Sequence, residues 1–434
     1  MRALYNLLLH LLLPAVLVRL WWRGRREPGY RIDWAQRFGH YAAPALPERD
    51  APLIWLHAVS LGETLAAQPL VAALRKRYPD HRLLVTQMTA TGREAAQRLY
   101  GDCATIAFLP YDLPWAMKRF LDHFSPALGI VMETEVWPNL AHFVSARGIP
   151  LLLANARLSE KSYRRYRRVA RLARSAFGVF EACAQSTADA TRLTDLGVPA
   201  VTVTGNLKFE TASGAAAQAQ LDALRAIVGT GTVFLAASTR EGEEAMLLDA
   251  LASHPLLGTA IVLVPRHPQR FDEVAALLAR RSLAYVRRSE NRPLPAGCRI
   301  VLGDTMGEMP AYYGVADCAF IGGSLVPFGG QNMIEAAALG VPALFGPHTF
   351  NFSEAAQQAV SAGAAIRVAD AETLCWEVAL LMRDGARRMA MSQAGRDLCE
   401  RHRGATERTM VVVDRLIAAE PEPHQEIGGQ RRKA

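Results

Sequence analysis

Apolar runs of strand length alternate with amphipathic segments along most of the chain. Between residues 53 and 205 the runs read LIWLHA, HRLLVTQ, CATIAFL, ALGIVM, IPLLLAN, FGVFEACAQ and AVTVTG. After a polar stretch at 211–220, the same alternation resumes with runs beginning at Thr232, Thr259, Arg299, Ala316 and Val341. Strands that alternate with helices indicate parallel sheets with helices on both faces and right-handed crossovers. The pattern therefore predicts two α/β domains.

The N-terminal segment has a different pattern. Sixteen uncharged residues lie between Arg2 and Arg19, and Trp21, Trp22 and a cluster of arginines follow. The apolar run is short for a membrane span of about 20 residues, and no small-residue cleavage site follows it. The tryptophans and arginines predict a membrane anchor that keeps the following domain on the cytoplasmic side. The sequence leaves open whether the segment spans the bilayer or lies in one leaflet. The alternative is a buried apolar helix that docks on the fold.

Length and charge narrow the classes of function. A chain of 434 residues fits two domains, and its net charge of +8 is unevenly distributed. Residues 1–31 hold six arginines and one glutamate, and residues 161–174 hold seven basic side chains and no acid, so the remainder is net acidic. Because the positive charge lies in two local patches, it favours two docking surfaces over a nucleic-acid-binding protein whose whole surface is basic. The six cysteines are scattered, which is typical of reduced cytoplasmic thiols.

The second basic patch, KSYRRYRRVARLAR, has the spacing of one amphipathic helix from Lys161 to Arg174, with a tyrosine stripe. This combination predicts a surface for an anionic membrane or lipid headgroup. The arginines concerned are Arg164, Arg165, Arg167 and Arg168. The alternative is a solvated helix whose tyrosine stripe packs on the sheet.

Polar residues follow the strands of the first half, at the edge where parallel sheets bind ligands. Ser60, Gly62 and Glu63 follow the first strand. A carboxylate at that edge could deprotonate an attacking hydroxyl. The alternative is a capping box, in which Ser60 caps a helix and Glu63 bonds back toward it.

Three further candidates follow the fourth and seventh strands of the first half. Glu133 and Glu135 could hold substrate hydroxyls or tune each other's protonation, or Glu135 could cap a helix that starts near Trp137. Lys208 could meet an anionic sugar or lipid phosphate, and a surface lysine is its alternative.

The second half sends several polar or glycine-containing loops to one sheet edge. Arg266 is suited to a phosphate, and the loop from Met306 to Met309 is suited to reading a base edge. The glycine-rich stretch from Gly322 predicts a helix from Gln331 to Gly340 whose free N–H groups suit a phosphate. Asn332 and Glu335 would then hold ribose hydroxyls. The alternative is a glycine-rich connection without a ligand.

Eight segments in register resemble the 3-deoxy-D-manno-octulosonic acid (Kdo) transferases of Gram-negative bacteria. They are HAVSLGE (57–63), METEVWPN (132–139), NARLSEKSYRRY (155–166), GNLKFE (205–210), AASTREGEE (236–244), VPRHPQRF (264–271), GDTMGEM (303–309) and IGGSLVPFGGQNMIEAAALG (321–340). The resemblance implies two doubly wound, Rossmann-like domains that face each other across a cleft, as in GT-B glycosyltransferases. It also implies transfer of Kdo, with inversion, from CMP-Kdo to a tetraacyl disaccharide lipid A precursor at the inner membrane.

The resemblance also assigns residues to roles. It puts the catalytic base on Glu63. It puts the CMP site on Pro265, Arg266, Met306, Gly307, Glu308, Met309, Asn332, Met333, Ile334 and Glu335. Candidate substrate contacts are Ser60, Gly62, Glu133, Glu135, Lys208, Gly323 and Ser324.

The chain departs from the family pattern at two points. Arg240 stands where a histidine is expected, and Gln331 with Met333 replaces a His-Asn-Pro order. CMP carries one phosphate and the chain has no DxD signature, so we expect neither a metal nor another cofactor.

These inferences give a provisional organisation. The expected parts are an anchor at 1–31, an acceptor-binding domain at 32–210, a donor-binding domain at 211–405, a helix at 406–420 that crosses back, and a disordered tail at 421–434. Two alternatives stay open: another GT-B transferase or an epimerase that uses a UDP sugar, or a non-catalytic, membrane-tethered lipid-binding protein.

Overall fold

The computed structural model describes residues 2–26, 28–42, 51–210 and 218–418. It divides into two compact units, Met1–Thr211 with Gly404–Ala434, and Ala212–Arg403. The predicted tail at 421–434 and most of the polar stretch at 211–220 lie outside the described residues.

The first unit contains a parallel sheet, with seven strands within the described residues, in the order β3-β2-β1-β4-β5-β6-β7. The strands are β1 (Leu53–His57), β2 (Arg82–Gln87), β3 (Thr105–Phe108), β4 (Leu128–Met132), β5 (Leu151–Ala156), β6 (Phe180–Ala184) and β7 (Ala200–Val203). Each apolar run predicted a strand here, and each prediction is confirmed.

The second unit contains another parallel sheet, whose described strands have the order β10-β11-β9-β8-β12-β13-β14. They are β8 (Thr232–Thr239), β9 (Thr259–Pro265), β10 (Tyr285–Arg287), β11 (Ile300–Leu302), β12 (Cys318–Ile321), β13 (Ala343–Phe345) and β14 (Ala365–Arg367). The sequence missed β10 and β14 because each is a three-residue edge strand that includes an arginine.

Helices cover both sheets, as predicted. Those before the second sheet are α1 (Arg2–Arg26), α2 (Leu61–Ala66), α3 (Gln68–Arg77), α4 (Ala90–Tyr100), α5 (Pro114–Phe124), α6 (Pro138–Ser145), α7 (Glu160–Arg168), α8 (Ala170–Phe177) and α9 (Thr187–Asp195). The later ones are α10 (Gln218–Val228), α11 (Glu243–Ser253), α12 (Phe271–Arg280), α13 (Met309–Val315), α14 (Ile334–Ala338), α15 (Ser353–Ser361), α16 (Ala371–Arg383), α17 (Gly385–His402) and α18 (Ala405–Ala418).

Side chains of the first sheet enter two apolar layers because successive residues of a strand point to opposite faces. Trp55 of β1 belongs to one layer, together with residues of α5, α6 and α8. Ile54 and Leu56, its neighbours in the same strand, belong to the other layer, together with residues of α3 and α18. Burial on both faces explains why these strands read as continuous apolar runs.

The strand orders define where ligands can approach each sheet. In the first sheet, β2 and β3 are added on one side of β1, and β4 to β7 are added on its other side. The direction of winding therefore changes between β1 and β4. In the second sheet the same change falls between β8 and β12. Ligands of doubly wound sheets bind beyond the carboxyl ends of the strands at these switch points.

Two helix predictions need correction. The predicted helix from Gln331 to Gly340 begins only at Ile334, because Gln331 lies in a loop whose backbone N–H donates to Gly322 O at 3.0 Å. The predicted basic helix from Lys161 to Arg174 is two helices, α7 and α8, because the backbone leaves the helical conformation at Val169.

The last described helix, α18, returns to the first unit. Met410 and Val413 are fully buried in the layer that contains α3. At its surface, Asp414 accepts hydrogen bonds from Arg77 and Tyr78 at 2.5 and 2.6 Å. The first unit is therefore closed by a segment that lies about 200 residues later in the chain than β7.

This packing predicts an asymmetry between two neighbouring residues of α18. We expect Met410→Ala to lower the free energy of unfolding of the first unit by about 2–5 kcal/mol, since it opens a cavity in a filled layer. Its neighbour Val411 is 60% exposed, and we expect Val411→Ala to change that free energy by no more than about 0.5 kcal/mol. Urea unfolding followed by far-UV circular dichroism measures both. Equal losses in the two variants would contradict the packing of α18.

Candidate active site

Glu63 lies in the first turn of α2, directly beyond β1. Ser60 is the N-cap of this helix, and its hydroxyl accepts from Glu63 N–H. The Glu63 carboxylate in turn accepts hydrogen bonds from Val59 N–H at 2.8 Å and from the Ser60 hydroxyl at 2.9 Å. The side chain is 9% exposed. Ser60 thus caps the helix as the alternative predicted, while Glu63 bonds back to Val59 N–H and the Ser60 hydroxyl, and these bonds hold the carboxylate in one orientation at the switch point of the sheet.

The surroundings of Glu63 favour its protonated form. Burial is the largest cause, and the negative charges of Glu133 and Glu135 add to it, so that the pKa rises to about 8 despite the two hydrogen bonds. Beside it, Gly62 is exposed, and a Cβ at Gly62 would meet only the Ser60 hydroxyl, at 4.0 Å. The backbone next to Glu63 is therefore open to solvent.

Glu133 follows β4, the neighbour of β1 at the switch point. Its φ of 56° is left-handed, an uncommon conformation for a glutamate and one that is concentrated at functional sites. Its carboxylate forms an ion pair of 2.8 Å with Lys208 Nζ. Less than a quarter of each side chain is exposed, so the alternative that Lys208 is an ordinary surface lysine is wrong.

The turn that carries Lys208 is fastened to the same sheet edge. Lys208 lies in a short 3-10 helix, Leu207–Phe209, whose first residue donates its N–H to the Asn155 side chain at 3.0 Å. Asn155, the penultimate residue of β5, is fully buried and has a left-handed φ of 54° at a register shift. The Asn206 side chain accepts from Lys208 N–H at 3.0 Å. Strand β5 thus positions the lysine for Glu133.

Glu135 completes the group. It accepts a hydrogen bond from the Trp137 indole at 3.1 Å, and burial, with help from Glu133, raises its pKa. Helix α6 begins at Pro138 with Trp137 as its N-cap, and Glu135 is not its cap, so that alternative is wrong. The structure therefore brings Glu63, Glu133, Glu135 and Lys208 to one edge, as the sequence predicted.

In the second unit, Glu243 organises the glycine-rich loop. This fully buried carboxylate accepts backbone N–H groups of Arg240 (2.9 Å), Gly323 (2.7 Å), Ser324 (3.0 Å) and Leu325 (3.0 Å). Burial raises its pKa against these hydrogen bonds. Glu243 therefore occupies the N–H groups of Gly323 and Ser324, two of the candidate substrate contacts. The N–H group of Gln331, expected to be free for a phosphate at a helix start, is also occupied, because it donates to Gly322 O.

The rest of this loop folds back on itself. Gly330 N–H donates to Gly323 O at 2.7 Å, and the Ser324 hydroxyl and backbone are both used inside the fold. Gly323, Gly329 and Gly330 have φ values between 70° and 90°, a region that a side chain rarely adopts. The glycines are thus required by the loop's own conformation.

Asn332 and Glu335 remain suited to a ligand. Asn332 Nδ2 donates to Glu335 Oε1 at 3.0 Å, and Asn332 Oδ1 accepts from Ile334 N–H at 3.1 Å. Burial raises the Glu335 pKa, while Asn332 and the charge of Arg266 lower it. Arg266 is exposed at the end of β9, next to the buried Pro265. Met333 and Ile334 are buried.

The turn that contains Arg266 is held by a second glutamate. Glu244 forms a bidentate ion pair with Arg270, at 2.7 and 2.9 Å, and both side chains are buried. Consecutive glutamates at the start of α11 thus fix two different loops. Neither glutamate was predicted from the sequence, although two adjacent acids at a helix start after a strand could have signalled them.

The loop before α13 divides into an open and a closed half. Met306 is 60% exposed, and Gly307 has no atom within 4 Å of an added Cβ. Glu308 is buried and pairs with Arg288 at 3.0 Å, and Met309 begins α13. Met306 and Gly307 are therefore the accessible part of this loop.

Arg240 occupies the position where the family pattern has a histidine. Its guanidinium lies 3.0 Å from His267 Nε2 and 4.2 Å from the centre of the Phe328 ring. Arg240 thus places a cation directly after β8. Within the described ranges no three His, Cys, Asp or Glu residues form a group that could hold a metal; the expectation that no metal is needed stays a prediction.

The two sheets, each with functional groups at its switch point, define an α/β protein with the two-domain fold of GT-B enzymes. The UDP-GlcNAc 2-epimerase of Neisseria meningitidis shares this fold, with a TM-score of 0.53 at 15% identity, over 84% of this chain and 100% of the epimerase chain. Residues 32–211 match the model of the 3-deoxy-D-manno-octulosonic-acid transferase (kdotransferase) family.

Full-length relatives make the family assignment specific. The 3-deoxy-D-manno-octulosonic acid transferase of Bordetella pertussis is 46% identical over 431 residues, which cover 95% of this chain and 99% of the relative. The transferase of the same name from Haemophilus influenzae is 36% identical, over 95% of this chain and 98% of the relative. The chain belongs to the Kdo transferase family of glycosyltransferases, which confirms the resemblance.

The raised pKa of Glu63 has a consequence for stability. The folded state holds a proton on Glu63 up to about pH 8, whereas the unfolded chain releases it near the ordinary value of 4.5, so Glu63 lowers the stability of the fold progressively as pH rises through that window. Glu63→Gln has no charge to bury. We expect its melting temperature, relative to the parent, to increase between pH 5 and pH 9, as measured by scanning fluorimetry. A constant difference would contradict the burial of this carboxyl.

The Glu243 contacts predict a local effect on dynamics. We expect Glu243→Gln to speed amide hydrogen exchange in residues 322–331, because a neutral amide is a weaker acceptor and its NH₂ opposes the N–H groups. Glu241→Gln is the matched control, since the Glu241 side chain is 54% exposed. Mass spectrometry of peptides after exchange gives the readout. Unchanged protection in Glu243→Gln would show that the loop does not depend on this carboxylate.

Proposed function

We propose that this Kdo transferase moves Kdo from CMP-Kdo to a tetraacyl disaccharide lipid A precursor, with inversion, and that Glu63 is the general base. Family membership supports the transfer of Kdo. The observation that carries the role of Glu63 is its position at the switch point, with a fixed orientation and a pKa near 8. A general base works best when its pKa lies near the working pH, because a useful fraction of it is then ionised and the ionised form still binds a proton strongly.

Inverting transfer is a single displacement, in which the acceptor hydroxyl attacks the anomeric carbon as it loses its proton. In the proposal, Glu63 receives that proton, and the N–H of Val59 and the hydroxyl of Ser60 keep its oxygens directed at the acceptor. Glu133 and Glu135 keep the local potential negative, which strengthens Glu63 as a base. Lys208, held by Glu133, supplies a cation for the carboxylate of the sugar or a phosphate of the lipid.

The second unit would hold the leaving group. Arg266 is exposed and can meet the single phosphate of CMP with its planar guanidinium. The Asn332–Glu335 pair offers amide and carboxylate groups to ribose hydroxyls, and the open backbone at Met306 and Gly307 suits a base edge. Because CMP has one phosphate, charge neutralisation by arginine replaces a divalent ion in this proposal.

The acceptor is an anionic lipid, so the enzyme must work at a membrane. In the described chain one helix, Arg2–Arg25, is long and apolar enough to cross a bilayer, with a mean hydropathy of 1.8. Arg164, Arg165, Arg167 and Arg168 of α7 extend the basic surface, while Tyr163 and Tyr166 pack on the core, as the alternative for this helix predicted. We propose attachment to the inner membrane with the catalytic units on the cytoplasmic side.

A UDP-sugar enzyme is the second candidate, because the epimerase shares the fold. Assays with CMP-Kdo and with UDP sugars, each with the lipid acceptor and mass spectrometry of the product, separate the two. A non-catalytic lipid-binding protein would give no product with either donor.

Glu63→Gln tests the chemistry directly. We expect kcat to fall by about 10²–10⁴-fold, the usual contribution of a general base, with CMP-Kdo binding unchanged in calorimetry. Glu94→Gln, an exposed glutamate of the same unit, is the matched control and should retain full activity. Full turnover by Glu63→Gln would refute the role of the base without refuting Kdo transfer.

The pH dependence provides an independent test. Activity requires ionised Glu63, so kcat/KM should rise with pH and level off above about pH 8. Glu133→Gln removes a negative charge next to Glu63, so we expect the rising limb to move to lower pH. A limb that stays in place or moves to higher pH would contradict the coupling between these carboxyls.

A further inference from the structure

Helix α1 has two different faces in the structure. At 100° per residue, Leu4, Leu8, Leu11, Val18 and Trp22 lie on one side, and each of them is between 50% and 68% exposed. Tyr5, Leu9, Leu13, Val16 and Leu20 lie on the opposite side, where each is at least half covered or buried. An exposed apolar stripe of this size on a folded unit marks a surface that contacts a membrane or another protein.

The N-terminal end of α1 is bound to the first unit by polar contacts. The Tyr5 hydroxyl donates to Asp112 Oδ2 at 2.9 Å, and Asn139 Nδ2 donates to Asn6 Oδ1 at 2.7 Å. Asp112 also accepts the N–H groups of Asn139 and Leu140, the first residues of α6. This end of the helix is thus tied to the same carboxylate that caps α6.

The C-terminal end of α1 is bound to the same unit. Leu20 is buried, and the Arg23 guanidinium lies 4.5 Å from the centre of the Tyr30 ring. Gly24 packs so closely on Arg31 that a Cβ would come within 2.6 Å of its side chain. The segment that follows packs against α4, because a Cβ at Gly29 would lie 2.9 Å from that of Ala90.

These contacts conflict with a transmembrane orientation. Tyr5 and Gly24 are separated by about 28 Å along the helix axis, at 1.5 Å per residue. The apolar core of a bilayer is about 30 Å thick. A helix that crossed it would carry Tyr5 to the far side, away from Asp112 and Asn139, and would break both hydrogen bonds at the N-terminal end of α1.

The charges fit a helix that lies parallel to the membrane. Arg2 stands at one end, and Arg19, Arg23 and Arg25 stand at the other, with no acidic residue in α1. Arginines at both ends can reach the headgroups of the same leaflet while the leucines between them enter its acyl layer. Helix α7, which carries four further arginines, lies near the N-terminal end of α1, since Tyr166 of α7 is close enough to Tyr5 to raise its pKa.

We propose that α1 lies in one leaflet, with its leucine face in the acyl layer and its opposite face on the first unit, and does not cross the bilayer. The proposal rests on the membrane attachment stated above. It also brings the leaflet to the candidate site, because Asn139 and Leu140 follow Glu133 and Glu135 along the chain. A lipid acceptor then presents its sugar hydroxyl at this edge while its acyl chains stay in the membrane.

The test is the side of the membrane on which residue 3 lies. Full-length protein with Ala3→Cys is bound from outside to sealed vesicles of anionic phospholipid. The partly exposed Cys103, Cys298 and Cys399 are changed to serine in this protein. A membrane-impermeant maleimide is added before and after detergent. Asp80→Cys, on the exposed surface of the first unit, is the matched reference for the domain side, and a thiol enclosed in the vesicles reports their integrity.

We expect the Ala3→Cys and Asp80→Cys variants to be labelled to the same extent before detergent, with no increase after it. Labelling of the Ala3→Cys variant only after detergent would place residue 3 on the far side and overturn the proposal. Protein that remains outside the vesicle fraction would overturn it as well. Kdo transfer is measured separately on the same preparation. If residue 3 is labelled before detergent but no Kdo is transferred, the result counts against the proposed function and leaves the orientation of α1 in the leaflet standing.

Discussion

Buried backbone N–H groups at the carboxyl ends of parallel strands must find acceptors, and acidic side chains supply them throughout this protein. Glu63 accepts Val59 N–H, Asp112 accepts the first N–H groups of α6, and Glu243 accepts four N–H groups in the second unit. An unsatisfied buried donor costs free energy, so these carboxylates fix the loops they bind. The edge that binds ligands is therefore also the edge where the fold is most dependent on buried acids.

The buried acids differ in how many hydrogen bonds occupy their carboxylate oxygens. Glu243 has four backbone donors and is fully enclosed, so its oxygens are committed to the glycine-rich loop. Glu63 has one backbone and one hydroxyl donor and lies beside an open glycine. Burial, together with the negative charges of Glu133 and Glu135, raises its pKa to about 8. Burial raises the pKa of both residues, so the number of donors and the nearby like charges are what distinguish the proposed base from a carboxyl committed to the fold, although both residues begin a helix after a strand.

The same principle connects the candidate site to α1, the helix that we propose lies in the membrane. Asp112 caps α6 and also receives the Tyr5 hydroxyl of α1, and burial raises the Asp112 pKa to about 6. Helix α6 follows the loop that carries Glu133 and Glu135, so one carboxylate links α1 to the acidic edge. The lipid acceptor that we propose would have its reacting hydroxyl at the membrane interface, which fits a site beside the proposed membrane surface.

The sequence by itself determined the strands of the first sheet and the position of Glu63. Apolar runs buried on both faces have no other stable arrangement, and the Ser60–Glu63 spacing fixes a local hydrogen-bond pattern that needs no distant partner. Helix α14 was harder to predict, because glycine patterns do not show that Gln331 N–H bonds Gly322 O across a loop. Only the tertiary structure decided that Lys208 meets Glu133, 75 residues away, and that Glu243 fills the loop 80 residues later. Both contacts depend on which strands become neighbours, and strand order is set by the packing of the whole sheet, which no local spacing records.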